Sequence, residues 1–213
     1  MSQSGFGRHH NRSMPFNADS VAPPVAAPMA RPTTHSTTGP TTGPSARFML
    51  SHPAHAIALG FGSGLSPVAP GTAGTLWAWL AFLVLQNYGM TDAGWALLIA
   101  ASLPIGWWAS TVTARHMQVL DPGSIVWDEV VAFWLVLWLV LPAGFWGQVA
   151  AFALFRFFDA VKPGPVGWAD QLFHGVDANS DSNPWAKAGF GIMLDDLVAA
   201  GCTLLVIAVW RFF

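Results

Sequence analysis

The sequence predicts an all-α fold, a polytopic helical membrane bundle of about five long helices behind a disordered N-terminal tail. Three observations predict it. Of 213 residues, 53% are hydrophobic and only 9% charged, with a mean hydropathy of +0.45, which leaves too few polar side chains to coat the helices of a water-soluble bundle. Apolar runs recur, separated by segments that hold Gly, Pro or charge. The first 47 residues differ from all of this, holding 7 of the 16 prolines and a single acid, Asp19.

Residues 1–47, with a Thr/Gly/Pro stretch over 32–44 and four arginines, cannot bury enough apolar surface to offset their chain entropy and read as a disordered tail. They have no apolar h-region and do not read as a secretory signal. Residues 48–213 form the helical membrane domain. It opens on Gly60-Phe61-Gly62-Ser63-Gly64-Leu65-Ser66-Pro67 and Pro70-Gly71-Thr72, either a re-entrant turn that needs Gly and Pro for its conformation or a glycine-rich phosphate cradle before a helix. Helices are expected over 72–88, 93–114, 125–141, 143–158 and 189–213. Pro104 and Gly106 should kink the second without ending it. The short turn 141–144 makes its flanking helices antiparallel neighbours. Twelve tryptophans against one tyrosine fit helix ends at a lipid interface.

If the five helices alternate in direction, Arg8, Arg12, Arg31, Arg47, Arg115, Arg156, Lys162 and Lys187 fall on one side and Arg211 alone on the other. The positive-inside rule makes the basic side cytoplasmic. With 9 Lys+Arg against 11 Asp+Glu, net −2, no basic face exists to bind nucleic acid. Cys202 is the single cysteine, which excludes an intramolecular disulfide and a CxxC metal site. No sequence signal bears on oligomeric state.

The acids share the basic side: Asp121, Asp128, Glu129, Asp159, Asp170, Asp177, Asp181, Asp195 and Asp196, with Asp92 alone opposite. Asp128, Glu129, Asp195 and Asp196 lie in the first two turns of apolar helices, where an isolated charge costs roughly 2.5–3.5 kcal/mol. Carboxylates so gathered repel one another unless a cation sits among them. With no His or Cys ligand set beside them, a hard divalent ion fits, Mg²⁺ before Ca²⁺. Asp121, followed by Pro122, reads equally as a helix cap or as a member of the set. Asp195 and Asp196 point about 100° apart on a helix, so that one faces the ion and the other a neighbour; in the bland reading both are simply held by Arg156 and Lys162. Arg156 and Lys162 flank Asp159 and suit an anionic group, Asp159 the ion, whereas snorkelling and a helix-end contact would account for Lys162 alone. Residues 177–182 resemble the start of an EF-hand but lack its Gly and its bidentate Glu. His52, His55, His116 and His174 read as solvated loop histidines, with a general acid as the alternative.

Read in order, Gly62-Ser63-Gly64-Leu65-Ser66-Pro67, Pro70-Gly71-Thr72, Asp121-Pro122 with Asp128-Glu129, Phe155-Arg156-Phe157-Phe158-Asp159 with Lys162-Pro163, and the stretch 189–196 resemble the phosphatidylglycerophosphatase A family. The resemblance covers residues 50–205. It implies a Mg²⁺-dependent enzyme of the bacterial inner membrane that removes the terminal phosphate of phosphatidylglycerophosphate to give phosphatidylglycerol. Ala132 and Ala200 stand where the family pattern leads one to expect Gly, and the connection 174–187 is longer than the family's. On this reading Asp128, Glu129, Asp159, Asp195 and Asp196 form the catalytic set and, with Asp121 nearby, hold one or two Mg²⁺. Arg156 and Lys162 clamp the phosphate while activated water attacks phosphorus in line. Direct attack by an aspartate is the alternative chemistry. The competing class is a cation-binding transporter, whose acids should continue across the membrane.

Overall fold

The computed structural model describes residues 43–174 and 182–212. The expected tail therefore lies almost wholly outside the described residues, as do Asp177 and Asp181 of the connection 174–187. All the described secondary structure is helical. Ser45 caps α1 (Ala46–Leu50) by accepting from Phe48 N–H. His52 caps α2 (Pro53–Ala58) through Nδ1, with Pro53 at the first helical position, where its missing N–H costs nothing. A 3-10 turn, Gly60–Leu65, follows, with positive φ at Gly60, Phe61 and Gly62. The longer elements are α3 (Pro70–Asn87), α4 (Asp92–Met117), α5 (Trp127–Leu139), α6 (Phe145–Val161) and α8 (Pro184–Phe212). A ten-residue α7 (Pro165–His174) lies between the last two, in what the sequence reading treated as a connection.

Among the described residues two helices, α4 and α8, are long and apolar enough to cross a membrane. At 13 residues, α5 reaches about 20 Å against the roughly 30 Å of a hydrocarbon core. The expectation of about five long helices is thus met by two at membrane-crossing length. Only 33% and 28% of the most apolar windows of α4 and α8 are buried inside the protein, so most of that apolar surface faces outward. Leu97, Ile105, Leu205 and Val209 are among the exposed side chains, an arrangement suited to lipid and not to water.

Helix α5 is the central post. Val130, Val131, Ala132, Phe133, Val136 and Leu137 are fully buried, and α3, α4, α6 and α8 all pack on it. Ala132 and Ala200 both lie in this core without exposure, where small side chains let helices approach. Helix α4 runs unbroken through Pro104 and Gly106, and a β-carbon on Gly106 would stand 2.5 Å from Trp127 Cδ1, so its absence admits the indole.

The tryptophans also join helices to one another. Six indoles donate to a neighbouring helix: Trp79 to Gln148, Trp95 to Gln86, Trp107 to Ala186 O, Trp127 to Ser102 O, Trp134 to Ala78 O and Trp138 to Asp92. These bonds fasten the bundle. The bond from Trp138 to Asp92, and that from Arg211 to Val140 O, put Asp92 and Arg211 together at one pole. The turn 60–65, the loop before α5, the end of α6 and the first half of α8 meet at the other.

Candidate active site

The segment before α5 is fixed from below by the N-terminal turns. Val126 N–H donates to Ala58 O at 2.9 Å, and the 3-10 turn packs so closely that a β-carbon on Gly64 would stand 2.1 Å from Ser124 O. This seats Asp128 and Glu129 in the first turn of α5, where the helix dipole favours acids. Asp128 is buried, and Glu129 lies against the opening turns of α3: β-carbons on Gly71 and Gly74 would fall 2.0 Å from Glu129 Oε1 and 3.1 Å from Oε2. The glycine motif is therefore a seat for a carboxylate and for the turn beneath it, closer to the conformational reading than to the phosphate cradle.

From α6, Arg156 Nη1 reaches Glu129 Oε1 at 3.1 Å and Asp159 Oδ2 at 2.5 Å, with Thr75 Oγ1 at 3.4 Å. Lys162 caps α6 in the left-handed region and pairs with both Asp170 of α7 and Asp195 of α8. Burial lowers the lysine's affinity for its proton, but hydrogen bonds to Asp170 and Asp195 outweigh it and hold the ammonium above its ordinary range. From α8, Asp195 Oδ1 accepts from Asp196 N–H, and Asp196 is buried. This approach of α8 to α4 depends on Gly189, where a β-carbon would meet Thr111 Oγ1 at 2.5 Å.

Asp121, Asp128, Glu129, Asp159, Lys162, Asp170, Asp195 and Asp196 line one cavity of about 310 Å³. The structure thus brings together the six acids expected to form the catalytic and metal-holding set, Asp121, Asp128, Glu129, Asp159, Asp195 and Asp196. Arg156 does not line it; its guanidinium lies against Glu129 and Asp159, not at the cavity wall. The bland reading of the α8 acids holds for Asp195, which Lys162 holds, and fails for Asp196. Oxygens of Glu129, Asp159 and Asp196 lie within 4.8 Å of one another. Asp128 Oδ1, Glu129 Oε2 and Asp196 Oδ2 are buried and accept no hydrogen bond. Bare buried carboxylate oxygens are costly, and hard oxygen donors at this spacing fit a divalent cation such as Mg²⁺.

Sequence reasoning counted Asp170 on the acidic side without giving it a role. Its signal was the short helix of residues 165–174, which carries an acid eight residues after Lys162. Nor are the histidines all solvated: His55 is buried, its Nε2 is 2.8 Å from His116 Nδ1 and its Nδ1 2.9 Å from Phe48 O.

The family model for phosphatidylglycerophosphatase A matches residues 56–211. A phosphatidylglycerophosphatase A of Escherichia coli K12 is 41% identical over 160 residues, 72% of this chain and 81% of that protein. One from Haemophilus influenzae is 37% identical over 163 residues, 76% of this chain and 90% of that protein. A Bacteroides thetaiotaomicron relative, provisionally named a phosphatidylinositol-3-phosphatase, is 37% identical over 161 residues, 73% of this chain and 91% of that protein. No solved structure matches.

Proposed function

The chain belongs to the phosphatidylglycerophosphatase A family, and from that premise we propose that it is a lipid phosphatase converting phosphatidylglycerophosphate to phosphatidylglycerol and phosphate. The observation that carries the reading is the set of three unpartnered, buried carboxylate oxygens on Asp128, Glu129 and Asp196, residues that share a cavity with the Lys162 ammonium. Asp128, Glu129, Asp159 and Asp196 would hold Mg²⁺, with Asp195 and Asp121 at the same cavity. When bound, the ion offsets the phosphate's charge and acts as a Lewis acid.

The chain's own groups do the rest. Lys162 binds a phosphate oxygen, and Arg156 supplies the counter-charge that holds Glu129 and Asp159 side by side. In hydrolysis the bond between phosphorus and the glyceryl oxygen breaks and a water oxygen joins phosphorus. A carboxylate of the cluster takes the water's proton, and the leaving glyceryl oxygen gains one. The cavity is lined by the first half of α8, whose apolar surface is largely exposed, an arrangement in which acyl chains can stay in lipid while the headgroup reaches the acids.

The protein is read as multi-pass in a bacterial inner membrane with the site facing the cytoplasm. The supporting pattern is that Arg47, Arg115, Arg156, Lys162 and Lys187 share the site's half of the sequence-derived topology, with Arg211 at the other pole. A cation pathway is disfavoured because, among the described acids, only Asp92 lies at that pole.

Protein purified in detergent, given phosphatidylglycerophosphate with Mg²⁺ or with EDTA, tests the assignment, with phosphatidylinositol 3-phosphate as a second substrate arm. Phosphate release from the first lipid that needs Mg²⁺ and disappears in Asp195→Asn with Asp196→Asn is expected. Release that persists in the double variant removes the site, and release only from the inositol lipid changes the substrate.

A further inference from the structure

Lys162 stands at φ 48, ψ 51, its N–H donating to Phe158 O. The chain turns at once into α7, and a β-carbon on Gly167 would lie 2.5 Å from the Lys162 carbonyl oxygen. The lysine's backbone and the first turn of α7 are therefore packed as one unit. Val166 and Ala169 are fully buried, which anchors α7, and Asp170 on its next turn pairs with Lys162 Nζ. Asp195 Oδ2 takes the same ammonium at 2.6 Å. An ammonium has three donors and no acceptor; these two carboxylates use two, and all three residues line the cavity. The two partners differ in kind. Asp195 is adjacent in sequence to Asp196 of the close oxygen group, whereas Asp170 comes from a separate helix and is not in that group.

We propose that Asp170 is the positioning residue for the phosphate-binding lysine: from α7 it holds the Lys162 ammonium at the cavity wall with one donor turned to the substrate phosphate. The inference rests on the phosphatase reading above. Without Asp170, a lysine on a flexible four-carbon stem has Asp195 as its one remaining partner and settles on it, away from the phosphate. The cost falls on substrate binding and leaves the chemical step largely intact.

The test uses the full chain in detergent with Mg²⁺, comparing Asp170→Asn, Lys162→Met and the double variant. Asp170→Asn is expected to raise KM for phosphatidylglycerophosphate, and the inhibition constant of inorganic phosphate, about tenfold, the scale of one charge-assisted hydrogen bond, with kcat within about threefold. The double variant is expected to be no worse than Lys162→Met alone, since both remove one interaction. Effects that multiply, or a fall in kcat with KM unchanged, overturn the proposal. A second readout does not need activity: acetylation of Lys162 by an amine reagent, with Lys187, the only other lysine, as internal reference. Lys162 should label several-fold faster in Asp170→Asn and return toward the wild-type rate in Asp170→Glu; equal labelling in all three overturns it. If the wild-type protein releases no phosphate, the functional reading fails, while the labelling still decides whether Asp170 holds Lys162.

Discussion

Gly71 and Glu129 meet across α3 and α5 with no room for a methyl group, since a β-carbon on the glycine would lie 2.0 Å from Glu129 Oε1. The atom it would strike ends a flexible side chain, so the carboxylate would yield before the helices did. Gly71→Ala should therefore leave thermal unfolding in detergent little changed and lower kcat/KM by roughly 100-fold, the penalty for displacing a reacting group by about 1 Å. A loss of stability as large as the loss of activity would instead make Gly71 a packing residue.

Arg156 joins Glu129 to Asp159. Arg156→Gln leaves two partly buried carboxylates facing each other and should cost on the order of 1–3 kcal/mol in the Mg²⁺-free protein. Because a cation among the acids replaces part of the missing charge, saturating Mg²⁺ should recover much of that loss. Urea unfolding with Mg²⁺ and with EDTA measures it, and a deficit that Mg²⁺ leaves untouched would contradict a shared cation.

The same logic predicts that Mg²⁺ raises the melting temperature of the wild-type protein. An ion that binds only the folded state adds about 2.7 kcal/mol at 100 times its Kd. Asp196→Asn replaces one of the buried oxygens that would hold the ion, so it should abolish most of the Mg²⁺ response and abolish activity. Stabilisation by Mg²⁺ that survives in this variant would place the ion elsewhere.

His55 gives a pH dependence with a definite sign. Phe48 O can only accept, so His55 Nδ1 carries the proton and Nε2 accepts from His116 Nδ1–H. Burial, above all, holds its pKa below the ordinary 6.5; the neighbouring His116 and His52 push the same way, and the Phe48 carbonyl opposes them. A folded-state pKa below the unfolded one means that the folded protein binds fewer protons between the two values. The contribution is complete above about 6.5 and is lost as pH falls through that value toward the folded-state pKa. Melting curves at pH 7.5 and 5.5 should show a smaller acid-induced drop in His55→Gln than in the wild type. An identical drop would remove His55 as the source.

What the sequence revealed followed from charge set against apolar context. Asp128, Glu129, Asp195 and Asp196 interrupt hydrophobic helices, and the expense of burying them pointed to one shared site before any geometry was known. That Arg156 faces Glu129 and Asp159 was not legible, because a guanidinium serves an anionic substrate and anionic side chains equally well, and spacing along one helix cannot say which lies opposite. His55 looked like a loop residue because its burial depends on His116, 61 positions away. Helix α7 was missed because its ten residues make fewer than three turns, shorter than the roughly 11–18-residue window over which a helical period is read.

The indole bonds between helices carry a consequence for the site at the far end of them. In hydrocarbon, an apolar side chain gains little by exchanging lipid for protein, so greasy contact alone leaves a helix free to rotate about its axis. Trp127, Trp134 and Trp138 tie α5 to Ser102, Ala78 and Asp92, three fixed bearings along a single rod. Slipping that rod by one residue would turn it about 100° and carry Asp128 away from its companions, so directional bonds spaced along α5 keep the acidic end in aim.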